Sequence, residues 1–248
     1  MKLACNYCPE AERLVREGRI DVDYFKIPAL DGQARLMNDP GASEAFAAGA
    51  GMARPVLLHG LYPSMERLVR LTGTPGISFH PDLGGSMVNG VVAKVRSMRE
   101  KYAHLEFISA ENSGAIEAQP LVLSEIVRQS GCTFLLDISH AYCASRRLGM
   151  GIWDYLAQLP LERLHEIHIN GWAEKGGDIM CHVKTNEQGY AILKELLTVC
   201  SPKIITIEYG REDDRLGCGI PIMRPGEMNE RAMEEIVEQV ERIREIIS

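Results

Sequence analysis

Six short apolar runs in this 248-residue sequence each finish on a residue that can bind a metal or move a proton. PVLLH ends at His59 and ISFH at His80. FISAEN ends on Glu111 and Asn112. FLLDISH reaches Asp137, with His140 three residues on. LHEIHIN passes through His168 to Asn170, and IITIE ends at Glu208. Imidazoles and carboxylates together form a donor set that suits iron, zinc or manganese, and carboxylates also act as general bases. One strand-end histidine is ordinarily a hydrogen-bonded structural residue, and one strand-end aspartate is often only a helix cap. Three histidines and three carboxylates at equivalent positions are a different matter, because buried charges without counter-charges are costly. A bound cation resolves that conflict. The donors outnumber the four of one closed zinc site, so more than one ion is expected. Glu111, Asp137 and Glu208 are the candidate catalytic carboxylates. GGDIMCHVK adds Asp178 and His182 as further candidate ligands, with a solvated loop as the competing reading. Asn112, Asn170, Lys184 and Arg211 are candidate substrate contacts, and Arg215 and Arg224 lie near them in sequence.

Side chains at such ends converge only if the runs are parallel strands of one sheet. Period-two alternation supports this: Ile205 and Ile207 share one face, while Ile204, Thr206 and Glu208 share the other. Ile167 and Ile169 likewise oppose Glu166, His168 and Asn170, and Leu135 and Asp137 oppose Phe134, Leu136 and Ile138. The aliphatic faces should pack on helices and the polar faces should point inward. Eight strands are expected, at 2–5, 22–28, 54–60, 75–80, 105–111, 132–138, 164–170 and 203–209. Amphipathic segments alternate with them. Val88, Val91, Val92, Val95 and Met98 mark a helix over 86–103 after a Ser86 cap. Ile192, Leu193, Leu196 and Leu197 mark one over 186–199 behind Thr185 and Gln188, and a third covers 229–247. Eight units of 31 residues account for the 248. The expectation is a single α/β domain over 1–248, a TIM (β/α)8 barrel with its site at the C-terminal mouth of the strands. Two connections, 29–53 and 209–227, are long enough to be binding loops.

Composition narrows the partners. With 46% hydrophobic and 25% charged residues the chain is neither fibrous nor disordered. A net charge of −7 argues against a nucleic-acid surface. No apolar stretch is long enough to span a membrane, and the first residues lack a signal-like apolar core, so a cytoplasmic location is expected. Cys5 and Cys8 form an isolated C-x-x-C with no second pair, a poor zinc knuckle, and His165 and His104 receive no role.

The ordered motifs LLHG, SFH, AENS, LLDISHAY, IHINGW, D…CH and IEYG resemble the multinuclear non-haem iron-dependent oxidase family (DUF692), which includes the enzyme subunit that makes methanobactin. The resemblance spans roughly residues 54–210. It implies a xylose-isomerase-like TIM barrel holding two or three irons. It carries ligand roles to His59, His80, Glu111, Asp137, His168, Asp178, His182 and Glu208. It further implies dioxygen-dependent oxidation of a cysteine in a peptide, or of a small thiol, with the peptide commonly brought by a partner protein. The chain departs from the family pattern at three places: His140 stands where Asn is usual, Met180 replaces a histidine of Asp-x-His-x-His, and Lys26 stands where an acid is expected. Two readings compete with it. One is a sugar isomerase or epimerase using a single divalent ion such as manganese, magnesium or zinc. The other is a non-catalytic member that binds metal or docks a partner.

Overall fold

In the computed structural model, residues 1–27, 52–60, 65–81, 87–113, 119–175, 178–209 and 229–248 are described. The short β-branched runs form the parallel strands β1 (Lys2–Asn6), β2 (Tyr24–Ile27), β3 (Val56–His59), β4 (Gly76–Phe79), β5 (Phe107–Glu111), β6 (Thr133–Asp137), β7 (Leu164–Ile169) and β10 (Ile204–Ile207). They close in the order β1-β10-β7-β6-β5-β4-β3-β2, so β1 pairs with both β10 and β2. This is the TIM barrel expected from the sequence. Helices α1 (Pro9–Arg16), α2 (Met65–Thr72), α3 (Val88–Lys101), α4 (Pro120–Ser130), α5 (Ile138–Arg147), α6 (Ile152–Leu156), α7 (Glu187–Val199) and α8 (Glu230–Ile247) connect them. No helix among the described residues is long and apolar enough to cross a membrane.

The main core lies between strands and helices. Ile167, Ile169, Ile205 and Ile207 face outward onto helices that contribute Ile192, Leu193, Leu196, Ile236, Val240 and Ile243. Each such fully buried aliphatic side chain contributes about 1.5–3 kcal/mol relative to exposure. Inside the barrel, Ala4, Leu57, Phe107 and Ile204 form a separate apolar plug. Gly76 makes room for it, since a Cβ there would lie 2.3 Å from the Phe107 ring. Above the plug the interior turns polar, and the strand ends carry the histidines and carboxylates.

Several local expectations change. The cap of α7 is Asn186, whose side chain accepts from Gly189 N, while Thr185 hydrogen-bonds Gln239. The N-cap position of α3 is Met87, without a side-chain hydrogen bond, and the proposed Ser86 cap lies outside the described residues. Cys8 has a structural task, accepting from Ala11 N at 3.3 Å to cap α1. His165 is half-buried and packs against Phe107, ring centroids 4.3 Å apart and planes tilted by 31°. The segment after β7 is an antiparallel hairpin of β8 (Gly171–Lys175) and β9 (Asp178–Val183) rather than a loop. The 29–53 connection lies outside the described residues except for its last two, and only Tyr209 of the 209–227 loop is described.

Candidate metal centre

Glu111, at the end of β5, is the hub. Its Oε2 lies 3.4 Å from His59 Nε2 and 3.6 Å from His80 Nε2. Its Oε1 lies 3.2 Å from His168 Nδ1 and 3.5 Å from His140 Nδ1. One carboxylate therefore turns an oxygen to each of two histidine groups. His168 Nδ1 also lies 3.0 Å from Glu208 Oε2 and 4.0 Å from Asp137 Oδ2, and Glu208 Oε2 is 3.5 Å from His182 Nε2. Three sets of donor atoms each fit within 4.8 Å: Glu111, Asp137, His168 and Glu208; His59, His80 and Glu111; and His140, Cys181 and His182.

Supporting residues hold these side chains in place. Ser78 Oγ sits 2.8 Å from His59 Nδ1, which leaves Nε2 for the centre. Behind His168, Glu166 Oε1 is 3.2 Å from Nε2, so that nitrogen carries the proton and Nδ1 offers its lone pair. Glu166 Oε1 also accepts from Lys26 Nζ at 2.7 Å and Thr206 Oγ1 at 2.6 Å, all within the barrel. Lys26, where an acid was expected, is thus the counter-charge of a buried glutamate. Burial alone would raise Glu166, but the Lys26 ammonium and His168 pull it down to about 2.

Asp137 has two tasks. Its Oδ1 caps α5, accepting from His140 N and Ser139 Oγ at 2.8 Å each. Its Oδ2 accepts from Asn170 Nδ2 at 2.9 Å and is the atom facing His168 and His140. Asn112 clamps the Asp137 main chain, donating to its carbonyl and accepting from its N–H. Asn170 accepts from His182 N. Both amides therefore help to position the centre. Lys184 pairs with Glu238 on the surface. Asp178 begins β9, but its side chain lies outside the described residues, as does the whole of Arg211 together with Arg215 and Arg224.

The donor set fits metal ions on three counts. Among the described residues, both oxygens of Glu111, Glu208 Oε2 and His168 Nδ1 are buried with no hydrogen-bond partner of acceptable geometry. Orphaned buried polar atoms are rare because each costs about 1–3 kcal/mol. Bonds of about 2.0–2.2 Å at tetrahedral or octahedral angles separate neighbouring donors by about 2.9–3.5 Å, the range in which most of these pairs fall. Charge gives the third count. Burial would raise Glu111 and Glu208, yet the surrounding imidazoles hold both well below the carboxylate range. Burial would lower His168, yet Glu208 and Glu111 drive it well above its ordinary value. Burial and the neighbouring carboxylates raise Asp137 despite His140. Without a cation, protons must balance this cluster, on Asp137 and on imidazoles that face Glu111 and Glu208. His59 differs: burial lowers it to about 3, so it is a neutral ligand-type imidazole.

Cys181 was missed by the sequence reading. Its Sγ lies 3.1 Å from His182 Nδ1. Cys143 of α5 draws it strongly toward the thiolate, more than burial opposes, and the Cys143 thiol is pushed up by the same contact. The six described cysteines are all free.

The profile of the family described as RiPP precursor modification enzyme MbnB/TglH/ChrH matches residues 86–214, just over half of the chain. A UPF0276 protein of Anaeromyxobacter sp. (strain Fw109-5) is 39% identical over 54 residues, 22% of this chain and 19% of that protein. One from Caulobacter sp. (strain K31) is 30% identical over 97 residues, 37% and 34% of the two chains. One from Bordetella pertussis is 38% identical over 69 residues, 28% and 23%. These matches span at most about a third of each relative's length. Among solved structures, a xylose isomerase-like TIM barrel protein from Mycobacterium smegmatis in complex with magnesium superposes with a TM-score of 0.57 at 12% identity, over 99% of this chain and 96% of that one. At that identity the likeness is one of fold.

Proposed function

The chain belongs to the MbnB/TglH/ChrH family of RiPP precursor modification enzymes, and on that premise we propose that it is an iron-dependent oxidoreductase that modifies a cysteine-containing peptide or small thiol with dioxygen. The observation that carries the metal part is the set of orphaned buried donors on Glu111, His168 and Glu208. Two ion positions follow from the side chains present: Glu111, Asp137, His168 and Glu208 would hold one, and His59, His80 and Glu111 the other, with Glu111 common to both. His140 and His182 stand ready for a third. When bound, iron supplies thiolate activation and the electrons for dioxygen reduction.

The chain's own groups set the conditions. Glu166 keeps the His168 proton on Nε2, and Ser78 keeps His59 Nε2 aimed inward. The Ala4–Leu57–Phe107–Ile204 plug shuts the barrel below the centre. Access is from the side of His80, whose side chain is 40% exposed while Glu111 beneath it is at 0%. A substrate sulfur would arrive past His80. In this proposal a partner protein presents the peptide.

Anaerobic purification followed by elemental analysis and Mössbauer spectroscopy tests this. Two or three irons per chain are expected, reduced by each of His59→Ala, His168→Ala and Glu208→Ala. A cysteine-containing peptide incubated with loaded protein and dioxygen should change mass. One manganese or magnesium with no iron would favour the isomerase reading instead. A protein that stays metal-free after anaerobic reconstitution would overturn the proposal.

A further inference from the structure

The third donor group, His140, Cys181 and His182, differs in kind from the other two because it contains sulfur. We propose that Cys181 is a thiolate ligand of a separate thiophilic metal position, with His140 and His182 as its other protein donors, beside the oxygen-rich position of Glu111, Asp137, His168 and Glu208. This rests on the metal-centre reading above and adds to it a ligand and a preference for soft or borderline divalent ions.

The backbone carries the first argument. In a regular strand Cys181 and His182 would point to opposite faces. Here Trp172 pairs with Cys181 and Gly171 with Val183, so His182 is an extra, unpaired residue in β9, a β-bulge. His182 sits at φ +66°, the one described non-glycine residue in the left-handed region. Such a conformation costs a side-chain-bearing residue about 1–3 kcal/mol and persists only where the surroundings enforce it. The enforcement comes from the centre: Asn170 Oδ1 takes the His182 N–H at 2.9 Å, and Asn170 Nδ2 holds Asp137. The bulge breaks the alternation and lets both side chains reach one point.

The donor geometry carries the second. His182 Nδ1 is 3.1 Å from Cys181 Sγ, and His182 Nε2 is 3.5 Å from Glu208 Oε2, an orphaned buried atom. The His140 and His182 rings approach edge-on at 5.3 Å with planes 72° apart, and one donor atom from each lies within 4.8 Å of the other and of Cys181 Sγ. Bonds of about 2.3 Å to sulfur and about 2.0 Å to nitrogen at a tetrahedral angle place those atoms about 3.5 Å apart, a few tenths of an ångström from what is seen. Two imidazoles and a thiolate select zinc, cobalt or ferrous iron over magnesium or calcium. Cys143, on α5, is not among the donors that gather with Cys181, His140 and His182, so it serves as the control sulfur.

Anaerobic titration of metal-free protein with Co2+, followed by electronic absorption, tests the assignment. Wild type should develop a near-ultraviolet thiolate-to-cobalt charge-transfer band. Cys143→Ser should keep it, and Cys181→Ser should lose it together with about one bound ion per chain while retaining the weaker visible bands of the remaining cobalt. Bound cobalt with no charge-transfer band in wild type would overturn the inference and leave the oxygen-rich site standing. Absence of any bound cobalt would overturn both. A band lost in Cys143→Ser and kept in Cys181→Ser would give the thiolate role to the wrong sulfur and also overturn it. If circular dichroism shows that Cys181→Ser does not fold, X-ray absorption at the cobalt edge of wild type decides: a sulfur shell near about 2.3 Å is expected, and a shell of nitrogen and oxygen alone refutes the assignment.

Discussion

Lys26→Met isolates the barrel's internal charge balance from metal binding. Lys26 and Glu166 are both fully buried, with Nζ 2.7 Å from Oε1. Methionine keeps the length and apolar body of the lysine but removes its ammonium. Glu166 would then retain only the Thr206 hydroxyl and His168 on Oε1, while Oε2 already has no partner among the described residues. Removing one member of a buried pair costs about 3–5 kcal/mol, because the other charge stays desolvated. For a chain of this length each kcal/mol shifts the melting temperature by about 2–4 °C, so the expected loss is about 6–20 °C. Thermal unfolding of metal-free protein near pH 7, followed by circular dichroism, reads it directly. Lys26→Met/Glu166→Gln should recover most of the loss, since neither partner is then charged. The two positions interact directly, so their effects should be far from additive. A single-variant loss below about 1 kcal/mol, or a double variant no better than the single, would refute the claim that Lys26 neutralises Glu166.

Gly171→Ala should destabilise the β8–β9 hairpin, because a Cβ there would fall 1.9 Å from the Lys184 carbonyl oxygen and backbone must part to admit it. A loss of about 1–3 kcal/mol with lower metal content is expected, whereas wild-type melting and full loading would show the close approach to be unimportant. Asp23 predicts part of the acid limb of stability. Burial would raise its carboxyl, but the Leu3 N–H, Lys2 and Arg244 outweigh burial and hold it below its ordinary value. A carboxyl depressed on folding stabilises fully above its unfolded pKa of about 3.9 and loses that contribution as pH falls through the lower folded value. Asp23→Asn should therefore melt lower than wild type at neutral pH, with the gap closing below about pH 4; a gap that stays constant with pH would sink this reading.

What the sequence made legible follows from the range of the interactions involved. Period two placed Ile205 and Ile207 outward and Thr206 and Glu208 inward with no knowledge of partners, and a parallel barrel then brings His59, Glu111, Asp137, His168 and Glu208 together. Local alternation cannot report which residue stands behind each of them. Lys26 looked anomalous because its partner Glu166 lies 140 residues away, and Asn170 looked like a substrate contact because its acceptor Asp137 is 33 residues away. Cys181 was hidden for a different reason: GGDIMCHVK reads as a ligand-bearing segment or a solvated loop, and nothing in it announces a strand with a bulge at a histidine in a conformation few residues adopt. Two of the three departures from the expected family pattern, His140 and Met180, fall in this same part of the chain, whereas Lys26 lies behind His168 through Glu166. Met180 removes an imidazole from β9, while His140 adds one from α5 and the bulge brings in the Cys181 sulfur from beside the lost position. One imidazole is lost against an imidazole and a sulfur gained, so in the proposed site the substitutions alter which ion the position favours more than whether the corner can hold one.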